Sequence, residues 1–202
     1  MSDSPQVHMI RRRSKIDRRT EILQSLAALL EEPSAEKITT ARLAAELGVS
    51  EGALYRHFKG KAEMYDALID FAQESLLSLF AQIRDRADLS GRDKARAMVQ
   101  VMLDFADANR GLVRLLTGHA LVNESPALSD RVRTLNASLE QGLKQSFREA
   151  VLAGEIQADF NASARAAALM SYVNGQWLRY VLSNFHDRPN RAGPVTLAFL
   201  FV

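Results

Sequence analysis

The sequence predicts an all-α protein. Glycines and prolines fall between long stretches that have the apolar spacing of helices, and no stretch alternates apolar and polar residues over the length of a strand. The chain of 202 residues is long enough for one large or two small domains with a sizeable core. Hydrophobic residues make up 47% and charged residues 25%, an ordinary balance for a soluble protein.

Helices are expected at residues 15–32, 40–46, 50–57, 61–87, 92–108, 110–121, 126–153, 161–185 and 192–202. The breaks between them have local causes. Pro33 separates the first two helices, and Gly91 separates the fourth from the fifth. Pro126 is suited to the first turn of a helix, where its missing N–H has no intrahelical partner. Pro189 and Gly193 precede the last helix.

The stretch "ITTARLAAELGVSEGALYRHFKGK", Ile38 to Lys61, predicts a helix-turn-helix. Thr39 or Thr40 caps the first helix, because a threonine hydroxyl accepts from a free backbone N–H. Gly48 ends that helix in a turn that favours positive φ. Apolar residues then recur on both sides of the turn at spacings that pack two short helices at a steep angle.

The second short helix has a non-core face suited to DNA. Small residues at its N-terminal end allow close approach to base edges, and Lys61 can pair with a phosphate from the start of the next helix. The residues expected to contact DNA are Thr39, Thr40, Arg42, Ser50, Gly52, Ala53, Tyr55, Arg56, His57 and Lys61. The alternative is a plain helical hairpin with a solvated face.

The charge distribution supports a nucleic-acid partner more than the total does. The net charge is only +2, but six cationic residues and one acid lie between Arg11 and Arg19. Arg56, Lys59 and Lys61 follow Gly52 with no acid among them. Such local clusters steer a protein to phosphate. For the first cluster alone, a basic tail without a DNA role is an equal alternative.

The "LYRHF" segment before a lysine and a long helix resembles the DNA-binding domain of the TetR family of bacterial regulators. The resemblance implies a homodimer that binds palindromic double-stranded DNA. It divides the chain into a basic flexible tail (1–14), a helix-turn-helix DNA-binding domain (15–61), and a helical dimerisation and partner-binding domain (62–202). The chain differs at Lys59, where a proline commonly follows the phenylalanine.

The resemblance extends beyond the domain that all TetR-like proteins share. "RRTEILQSLA", "KITTARLA", "NRGLVRLLTGHAL" and "RYVLSNFHDRP" resemble the branch of the family that acts in nucleoid occlusion. That branch implies a nucleoid-associated cytoplasmic protein that blocks assembly of FtsZ, the tubulin-like division protein, over the chromosome. A ligand-responsive transcriptional repressor of the same fold is the alternative.

Helix 161–185 is apolar over much of its circumference, which indicates that it is either enclosed or shared with a partner. A two-fold four-helix interface formed with helix 192–202 would enclose it. The residues expected at this dimer interface are Met170, Val173, Trp177 and Val181. Aromatic and methionine residues at helical spacing are more often core than pocket. A ligand pocket is nevertheless the alternative use of Met170, Tyr172, Trp177 and Tyr180.

Phe71 lies about 120° from the centre of the apolar stripe on helix 61–87 and is expected to be partly exposed. Single exposed apolar residues are common, so this position can be without function. The resemblance implies instead a partner-binding surface that includes Phe71 with Val101, Asp104 and Asn109.

The sequence argues against an enzyme and against a cofactor. The chain has no cysteine, which excludes disulfides, thiol catalysis and cysteine-ligated zinc and is compatible with a reducing cytoplasm. His119 has no second ligand at metal spacing and is expected to be a buried structural residue. No glycine-rich phosphate loop, signal peptide or apolar run of about 18 residues is found. A catalytic helical scaffold is the least favoured alternative.

Overall fold

The computed structural model describes residues 17–33, 38–190 and 193–201. The predicted all-α class is confirmed for this part of the chain. The helices run over Arg18–Leu29 (α1), Thr40–Glu46 (α2), Glu51–Tyr55 (α3), Lys61–Arg84 (α4), Gly91–Ala108 (α5), Arg110–Leu116 (α6), Pro126–Leu152 (α7), Ala162–Leu182 (α8) and Gly193–Leu200 (α9). The predicted tail, residues 1–14, lies outside the described residues.

The N-terminal domain is a small core built by α1, α2 and α3. Ile22 and Leu26 of α1 are buried against Leu43 of α2 and Leu54 of α3. Phe58 closes this core just after α3 and is 1% exposed. Burial of side chains of this size is worth about 1.5–3 kcal/mol each, so the short helices depend on this core for their stability.

The C-terminal domain packs α4, α5, α7 and α8 around a second apolar centre that is continuous with the first. Trp177 of α8 is 1% exposed, and its indole N–H donates to the carbonyl of Met102 in α5 at 3.0 Å. Phe201, just after α9, stacks on Phe147 of α7 with the ring centroids 6.1 Å apart. The terminal helix therefore completes the side of the bundle formed by α5 and α7.

The two domains are joined through α6 and α4. Arg114 of α6 is 5% exposed, and its guanidinium donates to the carbonyl of Glu32 just beyond α1. The same guanidinium lies over the ring of Phe185 after α8, 4.9 Å from its centroid. The bond from Arg114 to Glu32 therefore fixes the DNA-binding domain to the larger bundle. Within the bundle, Arg131 of α7 pairs with Asp66 and Asp70 of α4 and holds the start of α4 in place.

The main difference from the predicted elements is at α6. It ends at Leu116, five residues before the predicted end, because Gly118 adopts φ 79° and turns the chain. Residues 117–125 form a loop between α6 and α7. We call this segment the α6–α7 loop. The predicted helices at 50–57, 61–87 and 161–185 are also a few residues shorter in the structure, and the first helix ends at Leu29 instead of residue 32.

Candidate nucleic-acid interface

The turn between α2 and α3 has the local geometry that the sequence predicts. The Thr39 hydroxyl accepts from the backbone N–H of Arg42 at 3.1 Å, and Gly48 has φ 65°. The N–H of Val49 donates to the carbonyl of Ala44 at 2.9 Å and closes the C-terminal end of α2. Ser50 stands at the N-cap of α3 without a side-chain cap bond. Its hydroxyl is therefore not used to hold α3.

The outer face of α3 is open at its start and aromatic and cationic at its end. Gly52 and Arg56 are exposed, and Tyr55 is 50% exposed. The Thr40 hydroxyl donates to the Glu51 carboxylate at 2.7 Å and lies 3.4 Å from the Tyr55 hydroxyl. These bonds connect the start of α2 to the exposed face of α3, so the two predicted contact regions form one surface.

The cations around this surface differ in how they are engaged. Within the described chain, Arg56 and the Lys59 ammonium have no hydrogen-bond or ion-pair partner. Arg42 pairs with Glu32, and the Lys61 ammonium contacts the Glu124 carboxylate at 2.5 Å. The available positive charge is thus concentrated at the C-terminal end of α3. Lys59 was not among the predicted contacts, although its place in the basic cluster after α3 could have indicated it.

Arg19, from the basic N-terminal cluster, has a structural role. Its guanidinium lies over the Phe58 ring, 4.0 Å from the centroid, and donates to the carbonyl of His57 at 2.5 Å. It also pairs with Glu63, which accepts from the N–H of Lys59 at 2.7 Å. The Lys59 bond, and then the Arg19 bond, lower the pKa of Glu63. Together these bonds hold the segment that carries His57 and Lys59.

The structure brings two of the four predicted partner-binding residues together. Phe71 is half-buried, as predicted, and lines a cavity of about 230 Å³ between α1, α4 and the α5–α6 corner. Asn109 lines the same cavity, and its amide donates to the carbonyl of Phe105 at 2.9 Å. We call this cavity the Phe71 groove. Val101 and Asp104 do not line it, and Asp104 accepts from Gln100 at 3.0 Å and from Asn190.

The predicted dimer interface is wrong for all four residues. Met170, Val173, Trp177 and Val181 are 0–3% exposed within one protomer, because they face α5 and the rest of the bundle. Of the four residues that could have lined a ligand pocket, Met170, Trp177 and Tyr180 are buried core residues, whereas Tyr172 is half-buried. The opposite face of α8 carries exposed, mostly small or apolar residues in helical register: Ala164, Ala168, Ser171, Gly175, Leu178 and Leu182.

His119 was expected to be buried, and this is also wrong. It is exposed in the α6–α7 loop, since Gly118 ends the helix that was expected to bury it. Among residues 17–33, 38–190 and 193–201, no group of three or more His, Asp or Glu side chains is placed to hold a metal ion. None of the helices in those ranges has the length and apolar character of a membrane span.

The fold and this surface define a helix-turn-helix DNA-binding protein with a separate helical C-terminal domain. Residues 22–68 match the family described as bacterial regulatory proteins of the tetR family. Residues 93–201 match the SlmA-like family described as the tetracyclin repressor-like C-terminal domain. The chain therefore belongs to the TetR family and, within it, to the family of the nucleoid occlusion factor SlmA.

Individual relatives agree with this assignment. The nucleoid occlusion factor SlmA of Vibrio cholerae is 43% identical over 176 residues, covering 87% of this chain and 89% of the relative. SlmA of Idiomarina loihiensis is 41% identical over 175 residues, with the same coverage. The TetR family regulator PfmR from Thermus thermophilus superimposes with a TM-score of 0.75 at 22% identity, covering 89% of this chain and 96% of the other. The last comparison shows the fold alone.

Proposed function

We propose that this protein is a nucleoid occlusion factor. It binds palindromic double-stranded DNA as a homodimer in the cytoplasm, associates with the nucleoid, and blocks assembly of an FtsZ-like division protein over the chromosome. The observation that carries the proposal is the similarity to SlmA proteins at 41–43% identity, which spans both the helix-turn-helix domain and the C-terminal domain.

The DNA contact is assigned to the face formed by the start of α2 and by α3. The exposed Gly52 has only the Ser50 hydroxyl, at 3.9 Å, near the position of a Cβ, so backbone and bases can approach closely there. Tyr55 and Arg56 supply hydrogen bonds to bases or phosphates. Arg56 and Lys59 add positive charge without an internal partner, which favours phosphate at little desolvation cost.

The subunit contact is assigned to the outer face of α8. Its exposed residues are spaced by alternating steps of four and three, the spacing that packs one helix lengthwise on another. Leu178 is 40% exposed and Leu182 is 63% exposed, and both lie at the C-terminal end of this face. For the two α3 helices to enter successive major grooves, a two-fold pairing through this face has to place them about 34–36 Å apart.

The division partner is assigned to the Phe71 groove. The groove combines the aromatic ring of Phe71 with the apolar Leu23 and Leu112, and Asn109 and Glu31 supply polar groups to its lining. A hydrophobic groove can bind the apolar face of an amphipathic helix from a partner protein. The groove lies between α1 of the DNA-binding domain and α4 of the other domain, so both domains contribute to it.

The ligand-responsive repressor gains no support from the centre of the C-terminal domain. The Trp177 indole N–H donates a hydrogen bond to the Met102 carbonyl, and the Tyr180 hydroxyl donates to the Asp107 carboxylate at 3.0 Å. The side chains that would line an internal pocket are therefore packed and hydrogen-bonded, as a core is.

The test uses purified protein and the division protein from the same cells. Chromosomal fragments that bind the protein are first isolated, and division polymers are then followed by light scattering. We expect disassembly with a bound fragment and none with a matched fragment of scrambled sequence. If bound sites cluster beside a single gene and polymers do not respond, a local repressor is the better description.

A further inference from the structure

The start of α4 is tied to the α6–α7 loop by an ion pair. The Lys61 ammonium lies 2.5 Å from a carboxylate oxygen of Glu124 and donates to the carbonyl of Ile38 at 3.0 Å. The Lys61 side chain is 28% exposed and that of Glu124 only 13%. This pair therefore joins the DNA-binding domain to a loop of the C-terminal domain, at a site that water still reaches from the lysine side.

The surroundings keep Glu124 close to the ammonium. The Lys61 ammonium also lies over the Tyr65 ring, 5.7 Å from its centroid. Burial, and then the charge of Glu124, raise the pKa of Tyr65 to about 12, so Tyr65 stays neutral beside the pair. The N–H of Glu124 donates to the carbonyl of Leu121 at 3.0 Å, which fixes the backbone that carries the carboxylate.

We propose that Glu124 is a positioning residue that occupies Lys61 when DNA is absent and is exchanged for a DNA phosphate when DNA binds. The inference rests on the DNA-binding function proposed above. Carboxylate and phosphate are both anions that a lysine ammonium can bind, and the flexible four-carbon stem lets the ammonium turn from one to the other. Water reaches the pair from the lysine side, and the loop that carries Glu124 can turn the freed carboxylate into water, so that no charge stays buried and unpaired. The new phosphate contact also releases counterions from DNA.

The exchange couples DNA binding to the conformation of the α6–α7 loop in the C-terminal domain. The α6–α7 loop that Glu124 holds also contains Leu121, which lines a cavity of about 320 Å³ together with Leu178 on the outer face of α8. Val122, beside it, is 81% exposed. Release of Glu124 frees this loop at the face assigned to the subunit contact. By linkage, a contact that favours the released loop strengthens DNA binding by the same factor by which DNA strengthens that contact.

The first experiment is a double-mutant cycle on DNA affinity. Lys61→Met keeps the apolar stem and removes the ammonium, and Glu124→Gln keeps the shape and removes the charge. We expect Glu124→Gln to raise affinity about two- to fivefold per subunit, the cost of breaking a partly exposed ion pair. The same change made on Lys61→Met should have no effect. An equal gain in both backgrounds means general repulsion of DNA by Glu124 and overturns the proposal.

Salt dependence separates this proposal from the proposed function. Lys61→Met should reduce the slope of log affinity against log salt by about 0.9 for each phosphate that the ammonium neutralises in the wild type. If wild-type protein shows no salt-dependent DNA binding, the DNA-binding function itself fails. If the wild type binds DNA with a steep slope and Lys61→Met leaves that slope unchanged, Lys61 does not contact phosphate and only the exchange fails.

The second experiment follows the loop and leaves Glu124 in place. Because the chain has no cysteine, Val122→Cys provides a single site for an environment-sensitive fluorophore. Saturating DNA should shift its emission in the wild-type background and not with Lys61→Met. A label at Leu152→Cys, 87% exposed at the end of α7, is the matched control and should not respond. The same shift at Val122→Cys in both backgrounds contradicts the exchange.

Discussion

Gly111 of α6 lies directly against the backbone of Ala27 in α1. A Cβ on Gly111 would stand 2.0 Å from the Ala27 carbonyl oxygen and 3.1 Å from the Cβ of Leu30. Only glycine allows the two helices to approach this closely. The guanidinium of Arg114, one turn further along α6, donates a hydrogen bond to the carbonyl of Glu32, just beyond the end of α1. The orientation of the DNA-binding domain on the bundle is therefore set by α6.

We expect Gly111→Ala to force α1 away from α6, because a backbone oxygen cannot yield as a flexible side chain can. The free energy of unfolding should fall by about 1–3 kcal/mol or more, the range for overpacking. DNA affinity should fall as well, since the spacing of the two α3 helices changes. Gly91→Ala is the matched control: its Cβ would stand 2.5 Å from the Ser146 carbonyl, between α5 and α7. It should lower the melting temperature and leave the DNA affinity of the folded protein unchanged.

The exposed end of α3 should dominate DNA binding. Arg56→Ala and Tyr55→Ala remove an unpaired cation and a half-exposed aromatic residue, and each should weaken specific binding by about 1–3 kcal/mol. Helical content and dimerisation should not change, since neither side chain is buried. Only Arg56→Ala should also reduce the salt slope, by about 0.9 for each phosphate that Arg56 neutralises.

Arg84→Ala serves as the control for these two variants. Arg84 is 58% exposed at the far end of α4, where its only ion pair within the described residues is a 3.8 Å contact with Asp85. Its loss removes the same charge without touching α3, and affinity should stay close to that of the wild type. Equal losses in Arg56→Ala and Arg84→Ala would mean that net charge, and not the α3 surface, determines binding.

The sequence predicts elements whose causes are local. The turn at Gly48 and the cap at Thr39 depend on residues within a few positions of each other, and both were predicted correctly. The ion pair of Lys61 with Glu124 joins positions far apart in the chain. Neither residue alone indicates that pairing. His119 is exposed because Gly118 turns the chain just before it, and the apolar spacing of residues 110–121 does not indicate this turn.

The dimer interface shows a second limit of the sequence. Helix α8 is apolar on two faces, and periodicity does not say which face meets its own bundle. The larger Trp177 and Val173 occupy the inner face, where they fill space between α8 and α5. The outer face has alanine, serine and glycine, with Leu178 and Leu182 at its C-terminal end. Only the packing of the whole protomer distinguishes the two.

Substitutions on the two faces of α8 should therefore have different effects. Trp177→Ala removes a fully buried side chain and the bond to the Met102 carbonyl, and should cost about 3–5 kcal/mol of unfolding free energy. Leu178→Glu places a charge on the outer face and should produce folded monomers with weakened binding to the palindrome. Sedimentation and circular dichroism distinguish these results. A folded dimer in Leu178→Glu would exclude this face as the interface.

Alkaline pH should destabilise the protein through Tyr65. Burial and the neighbouring Glu124 raise its pKa from 10.0 to about 12, so the folded state favours the neutral phenol. This stabilisation is fully present below pH 10 and is lost as the pH rises from 10 to about 12, where the unfolded chain ionises first. The loss should reach about 2 kcal/mol.

Tyr65→Phe isolates this contribution. The variant cannot ionise, so its stability should fall less than that of the wild type between pH 10 and about 12, as followed by urea unfolding. Tyr55→Phe, at a half-exposed tyrosine on the outer face of α3, is the control and should follow the wild type. Parallel curves for wild type and Tyr65→Phe would show that Tyr65 does not cause the alkaline loss.

The Phe71 groove should be separable from the DNA surface. Phe71 lies on α4 against α1, whereas the proposed DNA contacts lie at the exposed end of α3. An aromatic ring buried on binding contributes about 1.5–3 kcal/mol, and Phe71 is already half-buried, so its removal should weaken partner binding about tenfold. Phe71→Ala should then bind specific DNA normally and fail to disassemble division polymers at concentrations where the wild type acts.

Two further variants distinguish a partner contact at Phe71 from a role of Phe71 in packing. Phe199→Ala removes a ring that is 80% exposed on α9, outside the groove, and should keep both activities. Asn109→Ala changes a second residue that lines the groove and should reproduce the loss of polymer disassembly, because the same partner contacts both residues. If Phe71→Ala loses DNA binding together with polymer disassembly, Phe71 supports the packing of α1 on α4 and is not a partner contact. If Phe71→Ala and Asn109→Ala both keep polymer disassembly, the division protein binds elsewhere on the bundle.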